Sequence, residues 1–404
     1  MTVPTPALAA RLSALSVPAT IGMAVRARAL RAAGHRVISL ALGEPDFATP
    51  PAAIEAAHAA ALAGQTKYPP VDGTIALKNA VRAKFARENG LEFTSDEIMV
   101  GNGGKQILFN ALMATVDPGD EVVIPAPYWA SYPLIAELLG ARPVHPQCPE
   151  ALGFTLTPEA LEAAITPRTR WVILNFPNNP TGATCGEDQL RALAAVLARH
   201  PQVWILCDEI YEHLIYDGPA HASLARVAPA LRDRIVTLNG VSKTYAMTGW
   251  RIGYCGAPAR LVKAMTMIQS NATSGASAIS QAAAAAALEG DAALVGVMRE
   301  TYRRRRNLVV GALRAMPGVT CAMPHGAFYA YPGISACLGR TSAGGALIGT
   351  DEDFALALIE EQHVAVVQGS AFGMSPYLRL SVASDDESLR EACARMAVFC
   401  NGLR

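Results

Sequence analysis

Four short stretches of this sequence carry residue types that can do chemistry together. In Val241-Ser242-Lys243-Thr244-Tyr245, followed by Gly249-Trp250-Arg251-Ile252-Gly253, a lysine sits beside a small hydroxyl just after the apolar run 235–238. Burial lowers a lysine's pKa and frees its amine to attack carbonyl carbon and form an imine; on an open surface the same lysine is an ordinary solvated cation. Gly101-Asn102-Gly103-Gly104-Lys105-Gln106 lies between a strand-like and a helix-like segment. Bare backbone N–H groups at a helix N-terminus suit a phosphate, and a tight turn without a ligand needs the same residues. The spacing is not that of a P-loop, and Gln106 stands where a dinucleotide fingerprint has Gly or Ala, so ATP and NAD fit poorly. Asp208, in Cys207-Asp208-Glu209-Ile210-Tyr211-Glu212, ends an apolar run and can bind Mg²⁺, cap a helix or pair with a cationic ring nitrogen. Asn175-Phe176-Pro177-Asn178-Asn179-Pro180-Thr181-Gly182 is a rigid turn compatible with a cis Asn179–Pro180 bond.

These stretches must be held by strand ends. Short β-rich runs at 97–101, 121–124, 171–175, 203–207, 235–238 and 251–255 alternate with helices or loops. Several are continuously apolar, as strands covered on both faces are. This predicts an α/β fold with a three-layer α/β/α large domain and a mostly parallel mixed sheet. Helices are expected at 259–270, 277–289 and 291–315, then strands at 327–331, 364–367 and 378–382 in a smaller α/β unit. The N-terminal strand 37–42 packs with that unit, and 333–350 is a Gly- and Ser-rich loop. The expected boundaries are 1–45 for the N-terminal segment, 46–295 for the large domain and 296–404 for the small one.

Composition narrows the function classes. Of 404 residues, 51% are hydrophobic and 17% charged, which excludes wholesale disorder. Thirty-four basic residues balance 34 acidic ones, so no global field attracts nucleic acid or an anionic membrane. Arg303, Arg304, Arg305 and Arg306 point around a helix rather than along one stripe, and are expected to be solvated or interface residues. Eight cysteines without a C-x-x-C pair suit a reducing cytoplasm, and no metal is expected. No export signal and no apolar run of about 18 residues is found.

A phosphate cradle, a ring-nitrogen partner, a phenol donor and an amine for an aldehyde together describe pyridoxal 5'-phosphate. From about Ala19 to its end, the chain resembles the class I aminotransferases of pyridoxal phosphate fold type I, in particular the bacterial aspartate aminotransferase branch. The matching motifs include Gly43-Glu44-Pro45-Asp46-Phe47, Gly103-Gly104-Lys105-Gln106, Pro127-Tyr128-Trp129, Asn178-Asn179-Pro180-Thr181-Gly182, Asp208-Glu209-Ile210-Tyr211, Ser242-Lys243, Gly249-Trp250-Arg251-Ile252-Gly253 and Arg379-Leu380-Ser381.

The resemblance implies that Lys243 joins the cofactor aldehyde and later shuttles the proton, while Asp208 keeps the pyridine nitrogen protonated. Asn179 and Tyr211 would bond the 3'-oxygen and Trp129 would stack on the ring. The phosphate would rest against Gly103, Gly104 and Lys105, Ser242 and Arg251, with Tyr68 reaching in from the partner of a homodimer. Arg379 would grip the substrate α-carboxylate, helped by Asn179 and Gly43, with Trp129 also against the substrate. The implied reaction is ping-pong transfer of an α-amino group from an L-amino acid to a 2-oxo acid such as 2-oxoglutarate. A lyase or decarboxylase is the rival, since the bond broken depends on which Cα substituent stands perpendicular to the ring. A cofactor-sensing transcription regulator lacks room for a DNA-binding module. Relatives in this branch carry basic residues before a Pro-Ser-Ala-Thr-like motif, where this chain has Ser13-Ala14-Leu15-Ser16-Val17 before Pro18-Ala19-Thr20. Acidic and aromatic or neutral donors therefore both remain open.

Overall fold

The computed structural model describes residues 7–12, 18–290 and 293–404. A seven-stranded sheet forms its centre, in the order β2 (Ile98–Gly101), β8 (Gly253–Gly256), β7 (Ile235–Gly240), β6 (Trp204–Asp208), β5 (Thr169–Asn175), β3 (Glu121–Val123) and β4 (Arg142–Val144). Only β8 runs antiparallel to its neighbours; the other paired strands are parallel. The predicted mixed, mostly parallel sheet is thus present.

Both faces of this sheet are apolar, which explains why its strands read as unbroken hydrophobic runs. Val172, Leu174, Ile205, Cys207 and Ile235 pack into one core, while Trp171, Ile173, Leu206, Val236 and Leu238 point the other way into a second. The edge strand β4 was not foreseen: it has three partly exposed residues, one of them Pro143, and a proline that cannot donate is tolerated at an edge. β8 starts at Gly253 rather than at residue 251, because Arg251 adopts φ 57°.

A third core gathers Val37, Ile38 and Leu40 with Val309, Leu313, Leu358, Val364, Leu380 and Met396. Here β1 (Ile38–Ser39) pairs in parallel with β10 (Val364–Ala365), and β11 (Val367–Gln368), β12 (Leu378–Ser381) and β9 (Tyr329–Ala330) form an antiparallel sheet. The long helix is described over Ala293–Arg314; Asp291, its expected first residue, lies outside the described residues. The stretch 333–350 is largely irregular, with one short turn of helix at Ser335–Cys337. The run of four consecutive arginines in the long helix is paired within the chain, Arg303 with Glu300, Arg304 with Asp386, Arg305 with Asp46 and Asp386, Arg306 with Asp217, and Arg305 and Arg306 are buried rather than solvated. They tie the helix to its surroundings rather than form a basic patch.

Beneath the C-terminal end of β6 lies a buried polar cluster. The Lys84 ammonium is fully enclosed and bonds Glu212 and Asn89. Asn89 and Asn239 also donate to Glu212, His221 stands 3.6 Å from it, and His221 and Ser223 bond Glu209. The positive charge of Lys84 and the two nearby histidines hold the Glu212 carboxyl down at about 2, against burial that alone would raise it. Replacing Lys84 with Met removes the charge while keeping the volume, and should lower stability by about 3–5 kcal/mol in urea unfolding. A loss under about 1 kcal/mol would show that the histidines and amides compensate Glu212 unaided.

Candidate active site

The parallel register sets Asn175 at the end of β5 directly opposite Asp208 at the end of β6, with Leu238 of β7 next in line. Asn175 then ties the following loop to the sheet. Its amide donates to the Asp208 carbonyl at 3.0 Å, and its side-chain oxygen accepts from the Asn179 N–H at 2.9 Å. Asn178 closes the turn by accepting from the Thr181 N–H and hydroxyl, and the Asn179–Pro180 bond is cis.

Above this edge opens a cavity of about 380 Å³. Gly43, Gly104, Lys105, Trp129, Asn179, Asp208, Tyr211, Ser242, Lys243, Arg251 and Arg379 all line it, so eleven sequence-nominated residues, drawn from distant parts of the chain, share one wall. Gly103 lies just behind, with φ 81° as the N-cap of the helix Gly104–Met113. A Cβ at Gly253 would collide with the Gly104 nitrogen, so only glycine in β8 lets the turn approach so closely. Gln106, the residue that departs from a dinucleotide fingerprint, accepts from the backbone and side chain of Asn102 at 2.7 and 3.0 Å and braces this turn.

Tyr68 alone among the nominated residues is elsewhere. It is 91% exposed and lies against the groove formed by 65–69 and 273–279, away from this chain's own cavity. The segment Ser13–Val17 lies outside the described residues, and Arg11 nearby is exposed.

Burial dominates the electrostatics of this site. Asp208 is buried, and burial lifts its carboxyl to about 6 in spite of hydrogen bonds from Tyr132 Oη (2.6 Å) and the Ile210 N–H (3.2 Å). Lys243 is pushed down to about 8, chiefly by burial and then by the charge of Arg379; its Nζ donates to the Gly43 carbonyl at 2.5 Å. Lys105 is lowered by burial and by Arg251 beside it, and neither forms an ion pair among the described residues. Arg379 is held by the Asn179 side-chain oxygen at 3.1 Å and the Ala41 carbonyl at 2.6 Å, and its buried Nε has no partner.

Sequence reasoning missed Tyr132, Tyr329 and Asn175. Tyr132 had a readable signal, since it follows Trp129 by three residues at the start of the helix Ser131–Leu138. Tyr329 had none beyond its place in an expected strand, and its role depends on pairing across distant segments.

The aminotransferase class I and II family model matches residues 35–396. The chain belongs to that family. It is 56% identical to the aspartate/prephenate aminotransferase of Cereibacter sphaeroides over 384 residues, 95% of this chain and 96% of that one. The aspartate aminotransferase structure from Rhizobium meliloti superposes with a TM-score of 0.96 at 50% identity, covering 99% of this chain and all of that one. The Thermus thermophilus aspartate aminotransferase with maleate gives 0.91 at 40% identity, covering 98% of this chain and all of that one. The protein is therefore an aspartate aminotransferase-like enzyme of fold type I, and none of these three relatives is described as a lyase or decarboxylase.

Because the Asp208 carboxyl is raised from 3.8 to about 6, the stability it contributes is complete below about pH 4 and lost as pH rises through 6. In the ligand-free protein, Asp208→Asn should remove roughly 2 kcal/mol of the stability difference between about pH 4.5 and 7.5, read by urea unfolding. An unchanged difference would mean that the carboxyl is not electrostatically strained.

Proposed function

We propose that the enzyme uses pyridoxal 5'-phosphate to move the amino group of L-aspartate to a 2-oxo acid, with 2-oxoglutarate and prephenate as candidate acceptors. The observation that carries this reading is the donor set of the cavity. It offers a capless helix N-terminus beside Ser242 and Arg251, a buried carboxylate, a buried amine of lowered pKa, and a guanidinium with an unpartnered nitrogen. Each matches one group of that cofactor or of an amino acid.

When bound, the cofactor supplies an aldehyde to carry the amino group and a ring that accepts electrons from the substrate Cα. The Gly103–Lys105 turn, the Ser242 hydroxyl and Arg251 hold its phosphate, helped by the partner's copy of Tyr68. Asp208, kept ionised by Tyr132 and the Ile210 N–H, holds the proton on the ring nitrogen. Asn179 and Tyr211 would hold its 3'-oxygen and Trp129 its ring. Lys243 would supply the amine for the aldehyde and would be the base for the proton on the substrate Cα. Arg379 binds the α-carboxylate by a charge-assisted fork worth roughly 1.5–3 kcal/mol per hydrogen bond, with the Gly43 backbone alongside.

Substrate choice rests on one further cation. With Lys243, Arg251 and Arg379 so used, Lys105 remains, its ammonium 5.0 Å from the centre of the Trp129 ring. Aspartate and prephenate both carry a second carboxylate, the counter-charge that this ammonium lacks. The names of the relatives point to the same pair of substrates. This favours an acidic donor over the aromatic or neutral one.

The assembly we propose is a homodimer, supported by the exposed apolar side chains of Leu62, Tyr68, Ile75 and Met267. We assign 46–295 to the cofactor-binding domain, and 1–45 with 296–404 to the smaller one, in line with the β1–β10 pairing. No helix among the described residues is long and apolar enough to cross a membrane, and the eight cysteines are all free. Both facts agree with a cytoplasmic setting.

Lys243→Ala should abolish both turnover and the near-visible absorbance, and borohydride reduction of the wild type should leave a cofactor adduct on the peptide containing Lys243. An adduct elsewhere, or none, would refute the cofactor assignment. Lys105→Met should lower kcat/KM for aspartate by about tenfold, the loss of a partly screened charge pair, and for phenylalanine by less than about threefold. Equal losses on both donors would remove Lys105 from substrate selection.

A further inference from the structure

Tyr329 touches three parts of the site at once. Its Oη lies 2.8 Å from Tyr211 Oη, and both side chains are buried. Its ring centre is 4.7 Å from the central carbon of the Arg379 guanidinium. Its hydroxyl abuts Gly43, where an added Cβ would collide with it, and the Gly43 carbonyl accepts from Lys243. Strand register produces this convergence. Tyr329 in β9 pairs with Ser381 in β12, and Arg379, two residues back along β12, emerges on the same face as Ser381.

Counting hydrogens gives the pair a direction. Two phenols sharing one bond hold two hydrogens, one of which is left over. Among the described residues neither hydroxyl has another hydrogen-bond partner. With Tyr329 donating, Tyr211 keeps its own hydrogen for an oxygen in the cavity. With the direction reversed, Tyr211 spends its hydrogen on Tyr329 and has none for the ring oxygen that the proposed cofactor would present there. A bond received by Tyr211 also strengthens the one it gives, because chained hydrogen bonds polarise one another.

We infer that Tyr329 is a positioning residue for amino transfer: it donates to Tyr211, so that Tyr211 donates to the cofactor's 3'-oxygen, while its ring backs the guanidinium of Arg379. This rests on the cofactor reading above. One side chain then links the ring-oxygen bond to the carboxylate grip, and joins two segments that lie 118 residues apart in the chain.

The test is a visible-range pH titration, without substrate, of wild-type, Tyr329→Phe, Tyr211→Phe and doubly substituted holoenzymes. Asp208, Lys243, Arg251, Arg379, Glu44 and Lys105, the charged groups lining the cavity, are unchanged in all four. A donor to the ring oxygen favours the deprotonated chromophore, so losing it raises the pH midpoint. Tyr329→Phe should raise the midpoint by about 0.3–0.5 unit, less than Tyr211→Phe does. The double variant should match Tyr211→Phe, because the effect acts only through that phenol. Tyr329→Phe keeps the ring, so kcat should fall about three- to tenfold while KM for the donor changes less than about twofold. Tyr329→Leu, which also loses the ring behind Arg379, should raise KM roughly fivefold. A midpoint within about 0.1 unit of wild type in Tyr329→Phe, or an equal shift in the Tyr211→Phe background, overturns the inference alone. A wild-type protein without the visible band overturns the cofactor reading, and this inference with it.

Discussion

The parallel pairing of β5, β6 and β7 is the constraint on which the site depends. Parallel strands end on the same edge, so the residues following them are delivered to one place however far apart they are in sequence. Asn175 stands opposite Asp208 in that register, and its side chain converts strand pairing into loop placement by bonding both the Asp208 carbonyl and the Asn179 N–H. A one-residue slip of β5 would turn Asn175 away and carry the whole 175–182 turn with it. Asn179, which orients Arg379 from the far side of the cavity, would lose its anchor. The placement of Arg379 therefore depends on a sheet to which Arg379 itself does not belong.

Much of this was legible because burial on both faces leaves a plain mark. Runs such as Val172–Leu174 and Ile205–Cys207 are apolar at every position, since successive residues face different cores. Glycines were legible too: at 253 backbone passes against backbone, and at 103, with φ 81°, an added Cβ would meet the Arg251 guanidinium. Pairings between distant segments that show no periodicity were not. The nearness of Tyr132 to Trp129 marks it, but not that it reaches Asp208 across 76 residues, and nothing local marks Tyr329, which reaches Tyr211 across 118. The strand β4 escaped for the opposite reason: an edge is only half buried, so it carries half the signal. The arginine run 303–306 could be rejected as a stripe from helical geometry alone; Glu300 lies on the same helix, but Asp46, Asp217 and Asp386 come from loops and a terminal helix that only the fold brings near.

Two neighbouring polar regions share the end of β6 and are treated in opposite ways. Below it, Lys84, Glu212, Asn89, Asn239, His221 and Glu209 satisfy one another, and Glu212 is held ionised well below its usual range. Above it, Asp208 and Lys243 are pushed toward their neutral forms, Lys105 and Arg251 stand side by side without an anion, and Arg379 keeps a buried N–H unbonded. The first arrangement costs little once formed and rigidifies the floor. The second costs stability, because Asp208, Lys243 and Arg379 have given up water without gaining a full partner.

That contrast gives the lower cluster a reason to exist. A strained constellation keeps its geometry only if its supports are stiffer than the forces acting on it. Repulsion between Lys105 and Arg251, and the pull of solvent on Asp208, would be relieved by movements of an ångström or so in the loops that carry them. Asp208 cannot make such a movement, because Glu209, the next residue, is held by Ser223 and His221, and Glu212, one turn further on, is held by Lys84. Lys243 is restrained likewise: the next residue, Thr244, is buried and bonds His213, whose other ring nitrogen bonds Glu88. Asp208 and Lys243 are thus each followed directly by a residue whose polar groups are satisfied, which holds their strained geometry in place.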